Sequence, residues 1–242
     1  MKVTVVHPFV LSPSNKLDKD ILRIVKPFNI ILTAVCSSKY KIRHGYITPC
    51  GLNYYILTYA GIGVFLVWST YNMISINIDE LNQRADLAAY LYCTMFLFYI
   101  SYGQFIIYNI IHRQDHISLI LKIQEIYRSV DISKCVQNVV LWNWLSFFLM
   151  FCCMIPNISL LYLSQNFVSY THITNHISNI MFDFNFIYGI RIIALLVVFL
   201  KKWSESILDK EFNLEKKLKA YQNILEAFQL FAICFRAIVS SS

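Results

Sequence analysis

The 242-residue chain is 57% hydrophobic and only 14% charged, with a mean hydropathy of +0.52; a soluble domain of this size carries about a quarter charged residues. That balance, together with 18 Phe and 16 Tyr, excludes an ordinary water-soluble domain and predicts segments packed in and anchored to a lipid bilayer. The net charge of +7 does not mark a nucleic-acid binder, because the basic residues cluster between long neutral stretches instead of forming one stripe with interleaved aromatics. With only 6 Gly and 5 Pro, a turn-rich β-barrel is excluded, and the expected fold is all-α, a polytopic membrane helix bundle.

In chain order, Val3 to Val6 is too short for the apolar core of a signal peptide, so the first span is expected to act as its own signal anchor. Residues 1–50 read as a cytoplasmic N-terminus. Spanning the hydrocarbon core takes about 20 apolar residues, and charges near its centre are costly. From Gly51 to Asn77 there is no Asp, Glu, Lys or Arg, which predicts a first span over 54–76. The neutral run Leu87 to Ile111 predicts a second span over 87–111, followed by a cytoplasmic helix within 112–138. One face of that helix carries Ile117, Ile120, Leu121, Tyr127 and Val130, and the other carries Lys122, Glu125 and Arg128. Cys135 to Phe182 holds no formal charge and predicts a third span over 139–163 and a neutral outer loop. A fourth span over 177–200 differs from the others in containing Asp183 and Arg191.

Beyond it, 201–230 predicts a second cytoplasmic helix. Leu214, Leu218, Tyr221, Leu225 and Phe228 recur there at alternating steps of four and three, an a/d seam that either packs within the subunit or forms an oligomer contact. Residues 227–242 give the start of a fifth span, short and broken by Arg236. Of the 21 Lys and Arg, 18 fall in the N-terminal segment, the loop after the second span and residues 201–219, so these face the cytosol by the positive-inside rule. Four complete spans with a cytoplasmic N-terminus follow.

Few constellations carry chemistry. The seven cysteines form no CxxC pair and neither outer loop holds one, so no structural disulfide is expected. His112 and His116 stand four apart with Asp115 between them, and His172 and His176 share that spacing, but neither pair brings the third and fourth ligands that zinc requires. No phosphate-binding glycine loop, nucleophile elbow or convergent carboxylate pair is present, so neither an enzyme nor a cofactor site is expected. Asp183 and Arg191 are ionisable groups at expected membrane depth, where such groups either serve function or bond structurally to another helix. Eight residues separate them, about 12 Å along a helix, so each needs a partner elsewhere. Asp183 is expected in the outer third of the fourth span and Arg191 near its middle. Topology would gather Tyr92 and Phe96 of the second span, Asn157 and Tyr162 of the third, and Asn185 and Phe186 around Asp183. Such an aromatic-lined cavity with a few polar groups suits a small organic ligand, and Pro156 would kink the third span beside it.

Several segments resemble the insect gustatory receptor family, most of all its lepidopteran branch. Lys26-Pro27-Phe28-Asn29, Ser38-Lys39-Tyr40-Lys41-Ile42 and Tyr46-Ile47-Thr48-Pro49 are similar to that family's approach to its first helix. Tyr221-Gln222-Asn223-Ile224-Leu225-Glu226-Ala227-Phe228-Gln229-Leu230-Phe231 resembles its stretch leading to the fifth helix. The resemblance covers nearly the whole chain and rests on the order of elements more than on tight motifs. It implies a subunit of a homo- or hetero-tetrameric, ligand-gated cation channel that detects a small tastant at the plasma membrane of sensory neurons. Such a subunit has seven helices and lines its pore with the last, whereas this chain ends at Ser242, before the fifth to seventh spans and before the family's Thr-Tyr and Gln-Phe signature. A C-terminally truncated receptor subunit is therefore expected, and a non-conducting four-span scaffold or accessory subunit is the alternative.

Overall fold

The computed structural model of the chain describes residues 15–75, 85–164, 170–207 and 214–239. The first helix, α1 (Lys19–Ala34), lies in the segment read from sequence only as a cytoplasmic N-terminus. Ile21, Ile24, Val25, Phe28 and Leu32 share one face and are buried, while Lys19, Arg23 and Lys26 stay outside that core. Pro27 sits inside the helix and has no N–H to return to the carbonyl one turn earlier. The helix ends in a Schellman arrangement. Cys36 takes the left-handed conformation at φ 55°, Ser37 N donates to Leu32 O at 2.7 Å, and Cys36 N donates to Thr33 O at 3.2 Å.

A two-stranded antiparallel hairpin follows, β1 (Lys41–Arg43) and β2 (Tyr46–Thr48), a small departure from the all-α expectation. Its turn residues His44 and Gly45 both have positive φ, 50° and 81°, as a type I′ turn demands. Five long helices and one shorter one complete the described chain: α2 (Leu52–Ser75), α3 (Ala85–Ile111), α4 (Arg113–Ser129), α5 (Val136–Ser164), α6 (Tyr170–Ile207) and α7 (Leu214–Val239). A 3₁₀ turn, Ser133–Cys135, links α4 to α5. Pro156 lies within α5. α6 is one continuous helix through the boundary expected near residue 200, and α7 likewise joins the predicted cytoplasmic helix to the predicted start of a fifth span. Among the described residues, Ser133–Pro156 and Phe182–Ile207 are long and apolar enough to cross a membrane.

The buried core gathers at one end of the long helices. α4 packs most extensively on α7, α7 on α6, and α1 on α5 and α6. α4 is buried nearly all round through His116, Ile117, Leu119, Ile120, Ile123, Gln124 and Ile126. α7 turns Lys217, Ala220, Ile224, Ala227, Cys234 and Phe235 inward, while Leu214, Leu218, Tyr221 and Leu225 of the predicted seam are exposed and its Phe228 packs against the core. One residue of phase separates the two stripes, and the small side chains of Ala220 and Ala227 let the backbone approach α4 and α6 more closely than leucines would. Lys122 fastens the contact, at 2.7 Å from Glu125 and 2.9 Å from Glu226. Trp203 Nε1 donates to Lys217 O at 2.8 Å and stacks on Tyr221, which holds the α6 and α7 ends together.

Away from this end the surface is apolar. On α5, Leu141, Trp142, Phe148, Leu149 and Ile155 are exposed, and only 17% of the Ser133–Pro156 window is buried within the chain. On α2, Leu52, Leu57, Val64, Val67 and Tyr71 are exposed as well. A soluble monomer does not leave so continuous an apolar face to water.

Candidate functional site

The polar side chains of the core form two connected groups, both held by α1 and the loop after it. The first is a bridge. Asn143 of α5, 1% exposed, donates through Nδ2 to Ile24 O of α1 at 3.0 Å and accepts from Arg191 Nε of α6 at 2.9 Å. One amide thus ties three helices, and Arg191 has the structural partner that its position demanded. Phe28 closes the same junction, with ring centroids 5.5 Å from Phe147 and 5.0 Å from Tyr188.

The second group is the loop 37–40, threaded between α2, α3 and α6. Ser37 Oγ accepts from Asn185 Nδ2 at 2.8 Å, and Tyr54 OH of α2 accepts from Ser38 N at 2.8 Å. Lys39 is 2% exposed; its Nζ donates to Asn109 Oδ1 of α3 and lies 4.4 Å from the centre of the Phe105 ring. Burial holds the Lys39 amine down to about 7, and no carboxylate contributes to its environment. Beside it, His116 of α4 is fully buried and neither ring nitrogen finds a hydrogen-bond partner. Its imidazole stays neutral well below the usual range because of burial, then because of Lys39 and His112. Tyr40, 2% exposed, faces Tyr188, and burial pushes its phenol above the ordinary range. Next to this loop, a cleft of 510 Å³ opens between the end of α1, the hairpin and the start of α2, with Thr33, Lys41, Asn53 and Tyr54 in its wall.

Of the residues expected to line a ligand pocket, Phe96, Asp183, Asn185 and Phe186 have described side chains. Asn185 points inward, fully buried, towards Ser37. Asp183 and Phe186 lie on the exposed side of α6, because positions two before and one ahead of a buried helical residue turn away from it. Phe96 of α3 is 65% exposed. The side chains of Tyr92, Asn157 and Tyr162 lie outside the described residues. Phe182 packs on Phe105 at 5.6 Å, and Asn185 meets the segment that precedes α2, so this stretch is level with the last turns of α3. Reasoning on spans alone could not see this register, since the uncharged run of residues 135–182 fixes no helix end.

Lys39, His116, Asn143 and Gln124 are the polar residues that sequence reasoning passed over or set aside. Gln124 Nε2 donates to Lys16 O at 2.9 Å and its Oε1 accepts from Asp18 N at 2.8 Å, so α4 fastens the start of α1. The available signal was an amide or imidazole inside the apolar period of α4 and α5. His112 pairs with Asp115 at 2.7 Å, and among the described residues no three His, Cys, Asp or Glu side chains are grouped to hold a metal. No known family, curated protein or solved structure matches the chain.

Proposed function

We propose that the chain is a multi-pass subunit of a chemosensory receptor of the ligand-gated cation channel type, detecting a small tastant at the plasma membrane of sensory neurons. The resemblance of its N-terminal and α7 segments to the insect gustatory receptors supports the receptor class. The observation that carries the membrane arrangement is the pair of windows Ser133–Pro156 and Phe182–Ile207, long and apolar enough to cross a bilayer, together with the exposed apolar face of α5. With the basic segments in the cytosol, the crossings are residues 54–76, 87–111, 139–163 and 177–200.

Arg191, within the fourth crossing, offsets the cost of a cation at membrane depth through its bond to the buried Asn143. The tastant pocket lies among the outer halves of the crossings, around Asp183. α6 runs on from this crossing to Ile207. Its exposed stripe of Phe186, Ile190, Ile193 and Val197 suits cover by a neighbouring helix or subunit, as a tetrameric assembly requires.

Recovery of the complete coding sequence tests the function. Three further apolar stretches in frame, and a tastant-evoked cation current on expression, are expected. A stop codon directly after Ser242 in the mature message, with no current, favours a non-conducting four-span accessory subunit instead.

A further inference from the structure

We infer that the buried cluster of Lys39, His116 and Asn109 is a proton-sensing site: loop 37–40 stays seated between the helices when Lys39 is neutral and is released when Lys39 takes up a proton. The inference goes beyond the receptor reading and depends on no ligand.

Geometry comes first. Lys39 is a long cationic side chain, 2% exposed, with one amide acceptor, one aromatic face and, among the described residues, no carboxylate partner. An ammonium in that setting loses its hydration and regains only part of it from Asn109 and Phe105. The titratable and charged groups around the cluster come from every neighbouring element. The loop supplies Tyr40, α3 supplies Tyr108, and α4 supplies His112, Asp115 and His116. α6 supplies Tyr188, and α7 supplies Cys234 and Arg236. The acid among them, Asp115, is engaged with His112 at 2.7 Å. His116, the nearest imidazole, is buried, stays neutral and offers no anion. The loop is therefore seated by hydrogen bonds from Ser38 N to Tyr54 OH and from Asn185 to Ser37 Oγ, and the desolvation of a charged Lys39 works against them.

The direction follows from linkage. Released into water, the Lys39 amine keeps its proton up to its ordinary value of 10.5; seated, it gives the proton up at about 7. Between these values the released state binds more protons, so seating strengthens as pH rises from about 7. Below about 7 both states are protonated and that gain is lost. Cytosolic acidification thus loosens the link between the N-terminal segment, α3 and α7.

Cys50 reports the loop: it is 5% exposed and its Sγ donates to Ser38 O, whereas Cys36 is exposed and serves as an internal reference. The chain, purified in detergent micelles where both faces are accessible, is pulsed with iodoacetamide at pH 7.5 and 6.0, and each thiol is read by peptide mass spectrometry. The Cys50-to-Cys36 rate ratio cancels the common pH dependence of thiolate formation. It is expected to rise roughly fourfold at pH 6.0, as the seated amine goes from about a quarter to about nine-tenths protonated. In Lys39→Met the ratio is expected to stay flat. Asn109→Asp supplies the missing anion and is also expected to flatten it, which keeps the test decisive if Lys39→Met fails to fold. A flat ratio in the native chain, or an undiminished rise in either variant, overturns the inference.

Discussion

Replacing Asn143 with alanine removes a hydrogen-bonding side chain that joins α1, α5 and α6. Two hydrogen bonds go with it: a neutral bond to Ile24 O and a charge-assisted one from Arg191 Nε. The first contributes about 0.5–1.5 kcal/mol and the second about 1.5–3 kcal/mol. Arg191 is only partly buried, so water re-solvates part of its guanidinium and the lower half of that range applies. Asn143→Ala should therefore cost about 2–3 kcal/mol, which at 2–4 °C per kcal/mol for a chain of this size lowers Tm by roughly 5–10 °C. Melting of detergent-solubilised protein, followed by fluorescence-detected size-exclusion chromatography, measures it. A double-mutant cycle isolates the bridge: in an Arg191→Met background the same substitution should cost only about 1 kcal/mol. Equal losses in both backgrounds, or a shift below about 2 °C, would show that Asn143 fills space and bridges nothing.

Gly189 of α6 lies under Phe235 of α7, and a Cβ there would meet ring carbons at 3.1 and 3.2 Å. Gly189→Ala should stay within about 1 kcal/mol of the parent because helix propensity offsets the contact, while Gly189→Leu should cost about 2–3 kcal/mol by overpacking; thermal melts compare the two. Gln124→Ala leaves Lys16 O and Asp18 N without their partner, and limited proteolysis should then cut the N-terminal segment several-fold faster; an unchanged rate would mean that apolar packing alone seats α1. Asp18 is gripped by Arg128 through bonds of 2.8 and 2.9 Å, which hold its carboxyl below the usual value of 3.8. That contribution is present above the ordinary carboxylate pKa and is lost as pH falls through the lowered one. Arg128→Ala should thus cost under about 1 kcal/mol at pH 7 and nothing below the titration, as read in melts across pH. Asp183→Asn should shift the ligand dose–response with surface expression retained; an unchanged response would remove Asp183 from the proposed ligand site.

The helices over α2, α3 and α5 were legible because uncharged runs of that length have few alternatives: a backbone without water must bond to itself. The burial of Ile117, Ile120 and Val130 in α4 was equally visible, since an apolar period of 3.6 marks the buried side of a helix. α1 carried the same signal in Ile21, Ile24, Val25, Phe28 and Leu32, obscured by Pro27 and by the charged residues between them. The α7 seam left two readings open because two apolar stripes lie one residue out of phase, and periodicity cannot say which meets a neighbour. Lys39 offered no signal at all. Its neighbours in sequence are those of an exposed loop, and its burial depends on α3 and α4 closing over it from 70 and more positions away.

Composition by itself determined that this chain is mostly helical and carries helices apolar enough to cross a membrane, because solvation energies sum over residues whatever their neighbours. The tertiary structure alone decided register: which turn of α6 stands beside the loop before α2, which stripe of α7 packs, and which amide Arg191 reaches. Those outcomes turn on shape and hydrogen-bond geometry between distant segments, where a shift of one residue moves a side chain by 100° around its helix.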